Sequence, residues 1–134
     1  MSGAAHAAGA GMEADVLVVG AGIAGLCVAI AAAPRRVLLL CPAPPALDSS
    51  SALAQGGIAA AVGAGDSVEA HVADTLVAAD HSADAVAARR IVGAAREALR
   101  FLAASGVDLD LEPAGALRLH REAGHSFARV AHAD

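Results

Sequence analysis

The chain has 134 residues, enough for one domain, and carries a formal net charge of −5. It is 57% hydrophobic, but 39 of those residues are alanine and only Phe101 and Phe127 bear aromatic rings, so its core must rest on close backbone packing rather than on large side chains. All nine basic residues are arginine and none of their runs exceeds two (Arg35-Arg36, Arg89-Arg90), which excludes the clustered basic face of a nucleic-acid-binding protein. Cys27 and Cys41 stand fourteen apart with no third or fourth partner; a disulfide framework and a thiolate zinc site are both disfavoured, and a reducing cytoplasm fits.

Residues 1–13 are Ala, Gly, Ser and His without periodicity and read as a disordered tail ahead of a domain over 14–134. Val16 to Ala33 is an uncharged run of eighteen residues. Half of it is Ala or Gly, and Glu13 and Asp15 stand where a signal peptide carries positive charge, so a buried strand–turn–helix is preferred to a membrane span. Asp15-Val-Leu-Val-Val19 reads as a fully buried parallel strand. Gly20 to Gly25 turns the chain, Ile23 to Ala33 follows as a helix stopped by Pro34, and Arg36-Val-Leu-Leu-Leu40 is a second buried strand, which completes a βαβ unit.

Cys41 to Ser51 is a proline- and serine-rich loop, and Ala52 to Val62 has no clear assignment. Asp66, three before Glu69, has capping-box spacing and is expected to cap a helix to about Ala79. A longer helix is expected over Asp84 to Ala104, with Val86, Ile91, Ala94, Leu99 and Leu102 on its buried face, Arg89, Arg90, Arg96, Glu97 and Arg100 on its wet side, and Gly106 at its C-cap. Val107 to Leu111 alternates strictly, as does Leu117-Arg-Leu119 after the Pro113-Ala-Gly115 turn, which predicts a β-hairpin. The fold class is α/β: a Rossmann-like unit followed by helices and a hairpin.

Gly20-Ala21-Gly22-Ile23-Ala24-Gly25 fits GxGxxG between a strand and a helix. Such glycines permit the tight turn, the approach of a pyrophosphate to the backbone, and close helix–strand packing; the alternative is a purely structural turn. No Gly-Lys-Ser/Thr follows, so a phosphate-binding P-loop is excluded. The ribose-binding acid expected about 20 residues on is absent. Cys41 occupies its place and the next acid is Asp48, which speaks against NAD and leaves FAD open. Ser49 to Gly57 could hold the rest of a dinucleotide through backbone amides and the Gln55 side chain, or could be a flexible loop.

Four stretches, Asp15 to Gly25, Ala54-Gln-Gly-Gly-Ile-Ala59, His71-Val-Ala-Asp-Thr-Leu76 and Arg121-Glu-Ala-Gly-His-Ser126 with Arg129-Val and His132-Ala, resemble the L-aspartate oxidase family within the succinate dehydrogenase and fumarate reductase flavoproteins. The resemblance covers residues 14–134. It implies that Gly20, Ala21, Gly22, Ile23, Ala24 and Gly25 bind the FAD pyrophosphate. Ser50, Ser51, Ala52, Leu53, Ala54, Gln55, Gly56 and Gly57 would then line the FAD site. It implies non-covalent FAD, because Ser50 stands where respiratory relatives carry a flavin-linked histidine, and it implies that Glu122 orients the α-amino group of L-aspartate. Cys41-Pro42 replaces the family's Ser-Lys, and Ala123, Phe127 and Ala128 depart from its Arg-Glu-Gly-Gly-His-Ser-His-Arg-Arg motif.

By the same resemblance the chain is expected to be the amino-terminal, incomplete part of an FAD-binding domain. The parent would oxidise aspartate to iminoaspartate with oxygen or fumarate as acceptor, the first step of NAD biosynthesis, with quinolinate synthase as a downstream partner. The catalytic arginine and histidines would lie beyond position 134, and the isolated chain would be inactive. A succinate- or fumarate-type fragment and a non-catalytic nucleotide-binding remnant are the alternatives. His120, His125 and His132 match no common metal site. Arg121 and Arg129 could meet an anionic substrate or be surface charge.

Overall fold

A computed structural model describes residues 12–42, 50–54 and 56–133, apart from the side chain of Ala52. Of the expected tail only Met12 and Glu13 lie within these bounds, both exposed. The chain forms two compact units that divide between Ala54 and Gln55.

The first unit contains β1 (Val16–Val19), α1 (Ile23–Ala31), β2 (Val37–Leu40) and the short α2 (Ser50–Leu53). β1 and β2 are parallel, with Val16 opposite Val37 and Val19 opposite Leu40, and α1 is the crossover between them, packed on both. The βαβ reading therefore holds. At the mouth of the pair the Arg36 N–H donates to Asp15 Oδ2 at 2.8 Å and the Asp15 N–H to Arg36 O at 2.9 Å. α1 closes at Ala31, before the residues that Pro34 biases away from helix. The strands are less buried than their apolar runs suggest. Only Val18 is buried, while Leu17, Val19 and Leu40 are exposed, because one helix covers one face of a two-stranded sheet.

The second unit contains β3 (Gly57–Ala59), α3 (Val68–Ala78), α4 (Ala85–Ala104), β4 (Leu119–His120) and β5 (Val130–His132). Its sheet is antiparallel in the order β3-β5-β4, with Gly57 opposite His132 and His120 opposite Val130. The α3 cap falls one residue later than expected. Ser67 is the N-cap and its Oγ accepts from the Ala70 N–H at 3.1 Å, because the Asp66 carboxylate is engaged by Arg129. Asp84 caps α4 through the Ala87 N–H, and Gly106, at φ +93°, turns the chain after it.

The buried face of α4 is Ala88, Val92, Ala95 and Leu99; of the expected set Leu99 is buried and Leu102 half-buried, whereas Ala94 is exposed and Val86 and Ile91 are 71% and 73% exposed. Alanines at 88 and 95 let neighbouring backbone approach, so side-chain size was a poor guide to which face is inward. Ala95 and Leu99 join Ala60, just past β3, and Ala131 of β5 in one core cluster, and Ala88 and Val92 meet Val72 of α3 in another. The expected hairpin is reduced to one bridge, Leu111 to Leu117, and Leu119 pairs with β5 instead. Among the described residues no helix is long and apolar enough to cross a membrane.

Leu99→Ala is expected to lower the unfolding free energy by about 3 kcal/mol and Ile91→Ala by less than about 0.5 kcal/mol, measured by urea denaturation.

Candidate functional site

In the first unit the glycine turn is formed by contacts that other residues would break. Gly20 sits at φ +105°, a conformation that glycine adopts freely, and its N–H donates to Leu40 O at 2.8 Å. A Cβ on Gly25 would stand 1.9 Å from the carbonyl oxygen of Gly20, so only glycine lets α1 start this close to the turn. Gly22 is the N-cap of α1 and has no side chain to cap it.

Ser51 on α2 acts there instead: its Oγ accepts from the Ile23 N–H at 3.1 Å. The Ile23 amide is thereby occupied, whereas the Ser51 hydroxyl proton has no acceptor among the described residues. Amides in the first turn of a helix have no intrahelical acceptor, which leaves those of Ala24 and Gly25 to an outside anion. The structure thus brings Ser51 to the glycine turn, beside Gly22, as one set of donors around a cradle without side chains. That set fits a pyrophosphate. Ser50, Leu53 and Ala54 are exposed on or next to α2, and the Ala52 side chain and Gln55 lie outside the described residues.

Gly56 and Gly57 belong to the second unit and serve β5. A Cβ on Gly56 would stand 2.9 Å from Ala133 O, and one on Gly57 would stand 3.1 Å from Val130 Cγ1 and 3.3 Å from His132 Cε1. Glu122 lies on the loop between β4 and β5, with Oε1 2.9 Å from Nε2 of His132. Arg121 Nε donates to His125 O at 3.0 Å and the His125 N–H to Glu122 O at 3.2 Å, so the loop is closed on itself. Cys27 and Cys41 are half-buried free thiols. No group of three or more metal-ligating side chains occurs among the described residues.

Sequence reasoning missed the strongest polar feature. Arg129 is fully buried. It grips Asp66 through two bonds, Nε to Oδ2 at 2.9 Å and Nη2 to Oδ1 at 2.8 Å, and Asp74 through Nη1 at 2.9 Å. Arg129 therefore neither faces solvent nor is free for a substrate. Asp74 also accepts from the Ser126 N–H at 2.8 Å and from its hydroxyl at 2.7 Å. Those Ser126 bonds, with Arg129 behind them, hold the Asp74 carboxyl below the usual carboxylate range. Buried His71 lies edge-on to His125 with ring centroids 5.5 Å apart. Desolvation first, then the charges of Arg129 and His125, push the His71 pKa down against the pull of Asp66 and Asp74. The one clue in the sequence was position: Arg129 abuts the apolar Val130-Ala131 of a strand.

Residues 15–134 match the FAD binding domain family. The chain belongs to that family. Its cofactor is FAD, in agreement with the glycine turn. It is similar to proteins named L-aspartate oxidase from Mesorhizobium japonicum, at 44% identity over 87% of this chain and 23% of that protein, and from Streptomyces coelicolor, at 42% over 96% and 22%. The chain thus spans less than a quarter of the length of these curated relatives. A chain in the solved apo form of the Mycobacterium smegmatis Sdh1 complex superposes with a TM-score of 0.80 at 29% identity, covering 90% of this chain and 21% of its own. A quinol fumarate reductase from E. coli gives 0.80 at 28%, with the same coverage.

Two outcomes are expected of this FAD-binding chain. Titration of FAD fluorescence with the purified protein should saturate, and Gly25→Ala should weaken binding by at least about tenfold, or about 1.4 kcal/mol. Stability should depend on pH in two legs. His71 has a folded pKa below its ordinary 6.5, so it contributes stability above that value and loses it as pH falls. Asp74 is lowered from 3.8, so its contribution is present above that value and disappears as the solution becomes more acidic still. Thermal unfolding from neutral to acid pH should show both legs, with His71→Leu flattening the first and Asp74→Asn the second.

Proposed function

We propose that the chain is the FAD-binding portion of an L-aspartate oxidase in which Glu122 receives the α-ammonium of the substrate. The observation that carries this is a carboxylate held by a partner on a closed loop, within the Arg121 to Ser126 motif that resembles aspartate oxidases. Identity of 42–44% to relatives of that name supports it. A carboxylate facing an ammonium makes a charge-assisted hydrogen bond that a plain dicarboxylate cannot offer. In the same reading the amides of Ala24 and Gly25, with the Ser51 hydroxyl, hold the pyrophosphate, and Ser50 to Gly57 line the FAD site. FAD is bound non-covalently, since Ser50 has no nitrogen to link to a flavin.

FAD, when bound, supplies the two-electron acceptor for the hydride leaving aspartate Cα. This chain's residues bind and orient. The carbon–nitrogen single bond becomes the imine of iminoaspartate, with two electrons and two protons lost, and oxygen or fumarate is the terminal acceptor. The product would pass to quinolinate synthase for NAD synthesis in the cytoplasm. Catalytic groups for the proton transfers are assigned to other parts of the parent enzyme, and the 134-residue chain alone is inactive. A succinate- or fumarate-type flavoprotein is the second reading, favoured by the TM-scores of 0.80 to respiratory relatives and opposed by Ser50.

Incubation of the chain with FAD and aspartate should yield no peroxide or iminoaspartate above a Glu122→Ala control. Turnover above that control would sink the claim that the chain alone is inactive. In the FAD-loaded protein aspartate, not succinate, should perturb the flavin absorbance; a response to succinate alone would favour the second reading.

A further inference from the structure

Glu122 has a partner of unusual definition for a half-exposed acid. A carboxylate accepts only, so the 2.9 Å contact requires the imidazole of His132 to carry its proton on Nε2 and donate to Oε1. Three features fix that imidazole. Its backbone is in β5, paired with Gly57 of β3. The absence of a side chain at Gly57 makes room for it, since a Cβ there would lie 3.3 Å from Cε1 and 3.6 Å from Nδ1. The ring of His120 meets it edge-on at a centroid distance of 5.0 Å. Among the described residues only Oε1 of Glu122 has a protein partner, so Oε2 remains for a ligand.

We propose that His132 is a positioning residue for Glu122. It occupies one carboxylate oxygen, sets the plane of the carboxylate, and turns the other oxygen toward an incoming ammonium. The pair then selects an amino-dicarboxylate over the same dicarboxylate without nitrogen. The inference rests on the reading of Glu122 as the ammonium acceptor and adds the residue that orients it. As a contribution to stability an exposed pair of this kind is small. Its value lies in orientation, because a freely rotating glutamate must give up rotamer freedom on binding whereas a held one has already done so.

The test is calorimetric titration of the FAD-loaded protein with aspartate and with succinate, in the wild type, His132→Leu and His132→Gln. Glutamine keeps an N–H donor near the position of Nε2; leucine does not. The expected result is a preference for aspartate that falls about tenfold in His132→Leu and is kept within about threefold in His132→Gln. An undiminished preference in His132→Leu would overturn the positioning role and leave the aspartate reading standing. No preference in the wild type would overturn the aspartate reading and this inference with it. Should His132→Leu fail to fold, imidazole nitrogen-15 NMR of the wild type decides. The His132 resonances should report the Nε2–H tautomer and shift in Glu122→Gln; a proton on Nδ1 alone, or no shift, would overturn the proposal.

Discussion

The second unit is organised around the buried guanidinium of Arg129. Its side chain bonds Asp66 ahead of α3 and Asp74 within α3, while its backbone N–H donates to His120 O and its carbonyl accepts from the Ala60 N–H. One residue thus ties the helix to both edges of the sheet. A charge in so dry a place is tolerable only when fully paired, and removing one partner from such a cluster costs about 3–5 kcal/mol. Two carboxylates face one guanidinium, and the surplus negative charge is met by the Ser126 N–H and hydroxyl on Asp74. The loop that bears Glu122 is therefore fastened at His120 and at Ser126, the ends between which Glu122 stands.

Around this polar centre the apolar core is made of small groups. Ala60 just past β3, Ala131 in β5, and Ala88 and Ala95 on α4 are all buried, and Leu99 is the largest residue among the two buried clusters. Burying methyl groups yields little per residue. The gain comes from backbones that approach one another closely, as Gly56 does to Ala133 and Gly25 to Gly20. An alanine-rich composition and a glycine-dependent cradle are the same strategy applied to core and site.

What was legible in the sequence was whatever depends on local pattern. The βαβ unit, the two helices and the glycine turn follow from periodicity and from Gly and Pro, which act over a few residues. Features set by distant partners were not legible. Asp66 has a sound local reason to cap α3, yet it lies 63 positions from Arg129 in sequence and is captured by it, so Ser67 caps instead. On α4 Leu99 is inward as its hydrophobicity suggests, but Val86 and Ile91 are exposed while Ala88, Val92 and Ala95 are buried, so the inward stripe does not follow hydrophobicity alone. The hairpin is short for a related reason: beyond the Leu111–Leu117 bridge, Leu119 pairs with Ala131 of the distant β5.

For the site, the residue types were readable and their partners were not. Without the resemblance Glu122 reads as a surface acid, and a surface acid is usually solvated. What distinguishes it is that Gly57, far from Glu122 in the chain, leaves space for His132, and His132 in turn holds the carboxylate. The glycine pair that the resemblance assigns to the flavin site has, in this fold, a second physical consequence at the proposed substrate carboxylate. A side chain at Gly57 would press on the imidazole whatever its effect on FAD. The β3–β5 register, which sets Gly57 opposite His132, thus links the proposed flavin-lining glycine to the proposed substrate carboxylate.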